Sequence, residues 1–207
     1  RPAAIAPNRW LDRRIHAENP RTSGRELPRG VLAPRAALGL TAAAALAFLT
    51  AAWALNPLCA RLAPAVLVVL LVYSATKRFS AGSHFVLGLA LALAPLGAWV
   101  AVRGDLRGDL APPLLLALAV LSCVAGFDLI YACQDEAFDR QRGLHSIPAR
   151  FGTARALKLS SVLHVVTLVA LALFAWRARL GLAFDLALLL TAVLLVWQHR
   201  LVSPADL

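Results

Sequence analysis

Long apolar stretches separated by short polar segments dominate the chain. Six of them come close to the roughly 20 residues that a helix needs to cross about 30 Å of hydrocarbon. They cover residues 36–55, 58–76, 84–102, 110–132, 159–176 and 180–198. The pattern predicts an all-α fold: a polytopic transmembrane helical bundle with six spans, embedded in a lipid bilayer and without a soluble domain.

The composition supports this interpretation. Hydrophobic residues make up 60% of the 207 positions and charged residues only 15%, which is typical of membrane proteins. The three cysteines, Cys59, Cys123 and Cys133, lie in or beside spans without the spacing of metal ligands or of a disulfide framework. We therefore expect them to be packing residues.

The net charge of +10 is distributed unevenly along the chain. If the spans alternate in direction, segments 1–35, 77–83, 133–158 and 199–207 share one side and hold 16 of the 21 Lys and Arg residues. The positive-inside rule makes that side cytoplasmic, as in a bacterial-type inner membrane, so we expect segments 1–35 and 133–158 to be cytoplasmic loops. The excess of basic residues on one side therefore indicates how the chain is oriented in the membrane, and we expect no nucleic-acid partner.

The second polar segment, residues 128–152, begins inside an apolar span and carries three aspartates. Asp128, Asp135 and Asp139 are seven and four residues apart, so on a helix they lie on one face. Carboxylates are costly at a membrane boundary, and three on one face repel each other unless a cation holds them. The spacing indicates a divalent-metal site that faces a polar cavity, with a ligand such as a diphosphate.

The first polar segment, residues 8–30, contains Asn8 and Asp12 four residues apart. Four spans separate it from the second polar segment, and an even number of crossings places both on the same side of the membrane. Lys77 and Arg78 follow a span on that side too. We expect the three segments to close over one polar cavity.

This combination of residue types fits one chemistry well. Mg²⁺ prefers oxygen ligands, often a few carboxylates together with substrate phosphates. Lys77 and Arg78 would add positive charge around the leaving group when an allylic diphosphate ionises. An isoprenoid tail would extend into a lateral pocket in the membrane.

Simpler interpretations exist for the same residues. Asp135 and Asp139 also fit a solvated helix end that is capped by Arg140 and Arg142. Lys77 and Arg78 also fit a role as positive-inside anchors. The agreement among the three segments favours the metal site.

Residues deeper in the spans carry less information. We expect Asp128 to play a supporting role beside the other acids, and His164 to make hydrogen bonds in the core. His84, His145 and His199 lie at the predicted interfaces and indicate little by themselves.

The two polar segments resemble the aspartate-rich motifs of the UbiA-type membrane prenyltransferases, NDxxDxxxD and DxxxD. The matching runs are Asn8-Arg9-x-x-Asp12-x-x-x-His16 and Tyr131-x-x-Gln134-Asp135-x-x-x-Asp139-x-x-x-Gly143-x-x-Ser146. Residues 19–22, 76–79 and 88–99 are similar to the 4-hydroxybenzoate polyprenyltransferase branch and its menaquinone-pathway relatives. The similarity covers nearly the whole chain as one membrane prenyltransferase domain, residues 1–207.

The resemblance implies specific roles at the site. Asp12, Asp135 and Asp139 would hold Mg²⁺ and diphosphate, and Lys77 and Arg78 would bind phosphate oxygens, so these five form the predicted catalytic set. Further substrate contacts are predicted at a second group of positions: Asn8, Arg9, Tyr131, Gln134 and Ser146.

The resemblance also implies an activity. The protein would transfer a polyprenyl group from polyprenyl diphosphate to a ring carbon of a small aromatic acid, with 4-hydroxybenzoate as the preferred acceptor and a naphthoate-type menaquinone precursor as the alternative. An ion-coupled transporter is the competing class, although its ionisable residues would more often lie at mid-membrane. A CDP-alcohol phosphotransferase needs a DGxxAR element, which residues 135–140 lack.

Two positions of the first motif depart from the family pattern. Position 9 is Arg where many members have Asp, although the branch that this chain resembles often has Arg there, and position 16 is His where an Asp is expected. Asp12 is then the only carboxylate of the first motif, and we expect weaker Mg²⁺ binding. The absence of Met and the polar opening of the chain suggest truncation at both ends. With nine helices in the family, we would expect helix 1, most of helix 2 and helix 9 to be missing.

Overall fold

The computed structural model describes residues 2–19 and 21–203, apart from the side chains of residues 2–6 and of His16. Within that part of the chain all regular structure is helical. The helices are α1 (Pro2–Leu11), α2 (Arg13–Glu18), α3 (Pro34–Leu55), α4 (Pro57–Val72), a 3-10 helix (Tyr73–Arg78), α5 (Ser83–Arg103), α6 (Ala111–Cys133), α7 (Glu136–Gln141), α8 (Ile147–Phe151), α9 (Thr153–Ala178) and α10 (Leu182–Leu201).

Six helices among the described residues are long and apolar enough to cross a membrane: α3, α4 with its 3-10 extension, α5, α6, α9 and α10. The predicted all-α bundle with six spans is therefore confirmed, and the protein is an integral membrane protein. The boundaries differ most at α9, which begins at Thr153 and not near residue 159. Arg155 and Lys158 lie in its first turns, so hydropathy alone does not reveal the start of this helix.

The segments predicted as loops also contain short helices. Residues 1–35 include α1 and α2, and residues 133–158 include α7, α8 and the first turns of α9. Helices of five to ten residues are too short to give a clear periodic pattern in the sequence, and their charged residues are also typical of loops.

Helix α6 forms the centre of the bundle because it is apolar on all sides and packs mainly against α5 and α9. Glycines make both contacts close. A Cβ atom on Gly88 of α5 would lie 2.5 Å from the backbone oxygen of Leu121, and one on Gly126 of α6 would lie 2.6 Å from His164 Nε2. Small residues at these positions let the helices approach each other, as is common between membrane helices.

Polar side chains reinforce the packing around α6 and α9. Ser122 Oγ and Thr167 Oγ1 are 2.8 Å apart and share a hydrogen bond across the interface. His164 is buried, and its Nδ1 lies 2.7 Å from Nε2 of His199 on α10. The predicted role of His164 in core hydrogen bonding is therefore confirmed.

Three polar stretches meet at one end of this bundle. Helix α1 packs against α3, α4 and the 3-10 helix. The backbone N–H of His145, which follows α7, donates a hydrogen bond of 2.8 Å to the Lys77 carbonyl oxygen of the 3-10 helix. The predicted location of the first polar segment, Lys77-Arg78 and the second polar segment at one end of the bundle is confirmed.

Candidate functional site

A polar cavity of about 230 Å³ lies where these three stretches meet. It is bounded by the first polar segment, the 3-10 helix, the beginning of α5, the end of α6, and α7. Most of the predicted site residues line it: Asn8, Asp12, Lys77, Arg78, Tyr131, Asp135 and Asp139. The space suits a small charged group, whereas a long apolar chain would have to leave the cavity.

Asp139 is the most deeply buried acid of the cavity, with 1% of its side chain exposed. It lies in α7, a short helix that directly follows the central helix α6. Lys77 Nζ is 2.8 Å from Asp139 Oδ2, and one third of the lysine side chain remains exposed. The contact has the distance of an ion pair without the angles of a hydrogen bond, so Oδ2 keeps unused hydrogen-bonding capacity.

Asp135 occupies the turn between α6 and α7 and is held from the first polar segment. Arg21 binds both of its carboxylate oxygens, through Nε at 3.0 Å and through Nη2, and Asn19 Nδ2 donates a third hydrogen bond of 3.0 Å. Burial by itself would raise the pKa of Asp135, but the hydrogen bonds from Arg21 and Asn19, with the charges of Arg21 and Lys77, lower it below its ordinary value. Asp135 is therefore ionised.

Asp12 lies between α1 and α2 and pairs with a different cation. Arg78 Nη2 is 3.0 Å from Asp12 Oδ1 and 2.9 Å from the carbonyl oxygen of Leu11. Burial raises the pKa of Asp12 above its ordinary value, although the hydrogen bond and charge of Arg78 act in the opposite direction. The acid of the first polar segment thus holds its charge less firmly than Asp135 does.

A histidine and a fourth acid complete the wall of the cavity. His84, in the first turn of α5, is 2% exposed, and its Nδ1 lies 2.6 Å from Oδ2 of Asp128 on α6. The backbone N–H of Ile147 donates to His84 Nε2 at 3.4 Å. Asp128 itself lines the cavity.

Three of the predicted site residues lie outside the cavity lining. Arg9 forms an exposed ion pair with Glu26, and Gln134 is exposed beside the cavity. Ser146 is fully buried, and its Oγ accepts a hydrogen bond of 3.3 Å from the Ala149 N–H at the start of α8. Their predicted contacts with substrate stay predictions.

Sequence reasoning did not single out Asn19, Arg21 or His84 as site residues. Asn19 and Arg21 contact an acid more than 100 positions away in the chain, so no local spacing reveals the pairing. The run at residues 19–22 was the available signal, because it carries hydrogen-bonding groups just after a helix end. For His84, the only signal in the sequence was a polar residue at the end of a span.

Arg140 and Arg142 do not contact the two acids that they were expected to cap. Arg140 pairs with Glu136 of the same helix, and Arg142 Nη2 lies 2.8 Å from Glu18 Oε2. Asp135 pairs with Arg21 and Asp139 with Lys77, so the alternative of a locally capped helix end does not describe these acids. Arg142 instead ties the second polar segment to the end of α2.

Among the described side chains, which do not include that of His16, no three His, Cys, Asp or Glu residues come close enough together to hold a metal ion. Each of Asp12, Asp135 and Asp139 instead contacts a cation. The donor set still fits Mg²⁺ in chemical type, because hard carboxylate oxygens from two segments face one cavity. Mg²⁺ usually takes only one or two protein carboxylates and completes its shell with phosphates and water. The site therefore fits Mg²⁺ together with a phosphate-bearing ligand.

Solved structures share this arrangement of helices. The apo structure of a UbiA homolog from Aeropyrum pernix K1 has a TM-score of 0.88 and 34% sequence identity, over 96% of this chain and 74% of that one. A UbiA homolog from Archaeoglobus fulgidus, bound to DMAPP and Mg²⁺, has a TM-score of 0.71 and 22% identity, over 96% and 70% of the two chains. Because the sequence identity is only 22%, the similarity to the Archaeoglobus fulgidus structure shows a shared fold and nothing more.

The sequence comparisons agree with the fold. The 4-hydroxybenzoate octaprenyltransferase of Aeromonas hydrophila subsp. hydrophila is 32% identical over 202 residues, which cover 98% of this chain and 69% of that protein. The model of the UbiA prenyltransferase family matches residues 1–207. With its six membrane helices and its cavity of paired acids and bases, the chain belongs to the UbiA prenyltransferase family and is a membrane prenyltransferase.

Proposed function

We propose that this prenyltransferase moves a polyprenyl group from a polyprenyl diphosphate to a ring carbon of 4-hydroxybenzoate in a Mg²⁺-dependent reaction. The observation that carries the proposal is the cavity in which acids of both polar segments and the cations Arg21, Lys77 and Arg78 lie together. Supporting it, the similar protein of Aeromonas hydrophila subsp. hydrophila is named a 4-hydroxybenzoate octaprenyltransferase. The product would enter quinone synthesis.

The diphosphate would bind among the cations of the cavity. Asp12, Asp135 and Asp139 are the residues that would hold Mg²⁺, and the Archaeoglobus fulgidus homolog is bound to that ion and an allylic diphosphate. When bound, Mg²⁺ would offset the charge that develops on the departing diphosphate. Lys77 and Arg78 now contact Asp139 and Asp12, and they would turn toward phosphate oxygens as the substrate enters.

The chemistry is an electrophilic substitution on the aromatic ring. The C–O bond of the allylic diphosphate breaks with its electron pair on the diphosphate, and the prenyl carbon bonds to the ring. The ring carbon then releases its proton to solvent. A carbocation of this kind needs a dry, apolar setting, and the spans beside the cavity provide one. The six spans hold the prenyl chain at the level of the lipid tails.

The location of the site follows from the same proposal. The cavity end carries most of the Lys and Arg residues of the chain, so we place it on the cytoplasmic side of a bacterial-type inner membrane. Cysteine labelling from either side of the membrane, at a site introduced near Arg29, tests this orientation. Labelling only from the periplasmic side would contradict it.

A direct assay tests the reaction. Membranes from a host that lacks its own enzyme, with and without this protein, receive radiolabelled polyprenyl diphosphate, an aromatic acid, and either Mg²⁺ or EDTA. We expect a lipid-soluble product from 4-hydroxybenzoate only when the protein and Mg²⁺ are both present. No such product from any aromatic acid would refute the proposal.

A naphthoate precursor of menaquinone is the alternative acceptor and belongs in the same assay. A higher kcat/KM for a dihydroxynaphthoate than for 4-hydroxybenzoate would assign the enzyme to that branch. The transporter alternative has lost its basis, because the family comparison shows a prenyltransferase.

A further inference from the structure

Asp128 differs from the other acids of the cavity in the partner that holds it. Asp12, Asp135 and Asp139 each pair with a Lys or Arg side chain. The hydrogen-bond partner of Asp128 is instead the ring of His84. Arg21 feels the charge of Asp128, but its hydrogen bonds go to Asp135.

The surroundings of His84 define which ring nitrogen carries a proton. The backbone N–H of Ile147 is a donor only, so the Nε2 atom that it contacts at 3.4 Å acts as the acceptor. Nδ1 then carries the hydrogen and donates it to Asp128 Oδ2 over 2.6 Å. A hydrogen bond in this direction holds the carboxylate in place, while Arg21, Lys77 and Arg78 pair with the other acids.

The His84–Asp128 pair is also rigid and accessible from one side only. His84 is 2% exposed, whereas 35% of the Asp128 side chain remains exposed, and Asp128 lines the cavity. The pair joins α5, α6 and the backbone at the start of α8. A fixed, charged acceptor at the edge of an apolar bundle is costly unless a ligand uses it.

We propose that Asp128 binds the aromatic acceptor by accepting a hydrogen bond from its ring hydroxyl, and that His84 is the positioning residue that aims the carboxylate. The inference rests on the proposed function, because it assigns a residue to the hydroxyl of 4-hydroxybenzoate. The ring acid and Asp128 are both anions, so the acceptor carboxylate would point away from Asp128, toward the cationic part of the cavity.

This arrangement would make the hydroxyl a requirement for tight binding. A site built to hydrogen-bond a hydroxyl discriminates against analogues without one, because the partly buried acceptor is then left without its partner. Benzoate and 4-methoxybenzoate offer no hydrogen to Asp128 and serve as inhibitors that report on the rest of the site.

Steady-state kinetics of the purified protein in detergent, with farnesyl diphosphate and 4-hydroxybenzoate, test the proposal. For Asp128→Asn we expect the KM for 4-hydroxybenzoate to rise about tenfold, the difference between a charged and a neutral hydrogen-bond acceptor. The KM for farnesyl diphosphate, the Mg²⁺ requirement and inhibition by benzoate should not change. Asp185→Asn, in the exposed first turn of α10, is the matched control.

Substitutions of His84 separate positioning from binding. His84→Leu should raise the same KM, and His84→Asn should restore it in part, because the Asn side-chain amide can donate from nearly the position of Nδ1. His145→Gln is the control, since His145 is exposed and contributes only its backbone N–H. These two His84 variants carry the test alone if thermal unfolding shows that Asp128→Asn does not fold.

Three outcomes would overturn the inference. One is an unchanged KM for 4-hydroxybenzoate in Asp128→Asn, and another is an equal loss of benzoate binding. The third is a change confined to Mg²⁺ or to farnesyl diphosphate, which would make Asp128 part of the diphosphate site. A wild-type protein that prenylates no hydroxylated aromatic acid would instead refute the proposed function, and the inference with it.

Discussion

The two polar segments supply acids to one cavity but are built differently. In the second, Asp135 lies in the short turn after the central helix α6 and Asp139 in the next helix, α7, and Glu136 accepts hydrogen bonds from the first residue of α9, Thr153. The first polar segment lies outside the bundle. Its acid, Asp12, contacts the 3-10 helix through Arg78, whose side chain is 43% exposed.

The difference indicates that the two polar segments contribute differently to ligand binding. Asp139 is buried just after the central helix. Asp135 is held beside it by Asn19 and Arg21 of the first polar segment, which lower its pKa below the ordinary value against the effect of burial. Asp12 of the first polar segment instead has a pKa that burial raises above the ordinary value. We infer that the second polar segment provides most of the metal binding and that the first completes the site when substrate enters.

Loss of Asp139 should have the largest effect on activity. Asp139→Asn removes a charged oxygen donor from the second polar segment and leaves Lys77 without its carboxylate partner. We expect kcat/KM for prenyl transfer to fall about 100-fold or more, the size seen when one group that stabilises developing charge is lost. Transfer of label from polyprenyl diphosphate to 4-hydroxybenzoate measures it.

The same substitution in the first polar segment provides the comparison. Asp12→Asn should cost less activity than Asp139→Asn, because the Asp12 side chain is more exposed than that of Asp139. Asp185→Asn should leave activity unchanged. An equal or greater loss for Asp12→Asn would reverse the proposed ranking of the two segments.

We expect the next largest effect from a change in helix packing near the second polar segment, and this effect is on stability. Gly88→Ala would place a Cβ 2.5 Å from the backbone oxygen of Leu121, so α5 and α6 would have to move apart. We expect a destabilisation of about 1–3 kcal/mol, typical of overpacking. Thermal unfolding in detergent measures the change. Gly97→Ala in the same helix has open space around it and should be neutral; equal shifts for both would refute the packing argument.

Much of this architecture could be predicted from the sequence, because it depends on local properties. Span length and apolar composition define the six membrane helices, and residue spacing brings out Asp135 and Asp139. The contact partners of the site residues could not be predicted in the same way. The bond from Arg21 to Asp135 joins residues 114 positions apart, and Ser146 has the same motif position whether it caps a helix or touches a substrate.

His16 offers a smaller and more specific test of the first polar segment. Its backbone belongs to α2, but its side chain lies outside the described residues, so the expected weakness in Mg²⁺ binding stays a prediction. His16→Asp would add a carboxylate, the type of ligand that Mg²⁺ prefers. We expect the half-saturating Mg²⁺ concentration for turnover to fall severalfold. An unchanged Mg²⁺ dependence would show that position 16 does not reach the ion.

The ion pair between Glu18 and Arg142 should have the smallest effect, although it joins the two polar segments, as the contacts of Asn19 and Arg21 with Asp135 also do. Their side chains are 44% and 50% exposed, so water and salt screen the 2.8 Å contact. A double-mutant cycle with Glu18→Gln and Arg142→Gln should give a coupling free energy of about 0–1 kcal/mol. Thermal unfolding at low and high salt measures it. A larger, salt-independent coupling would mean that the first polar segment is locked to the second before substrate binds, and the distinction between a fixed and an adjustable half of the site would fail.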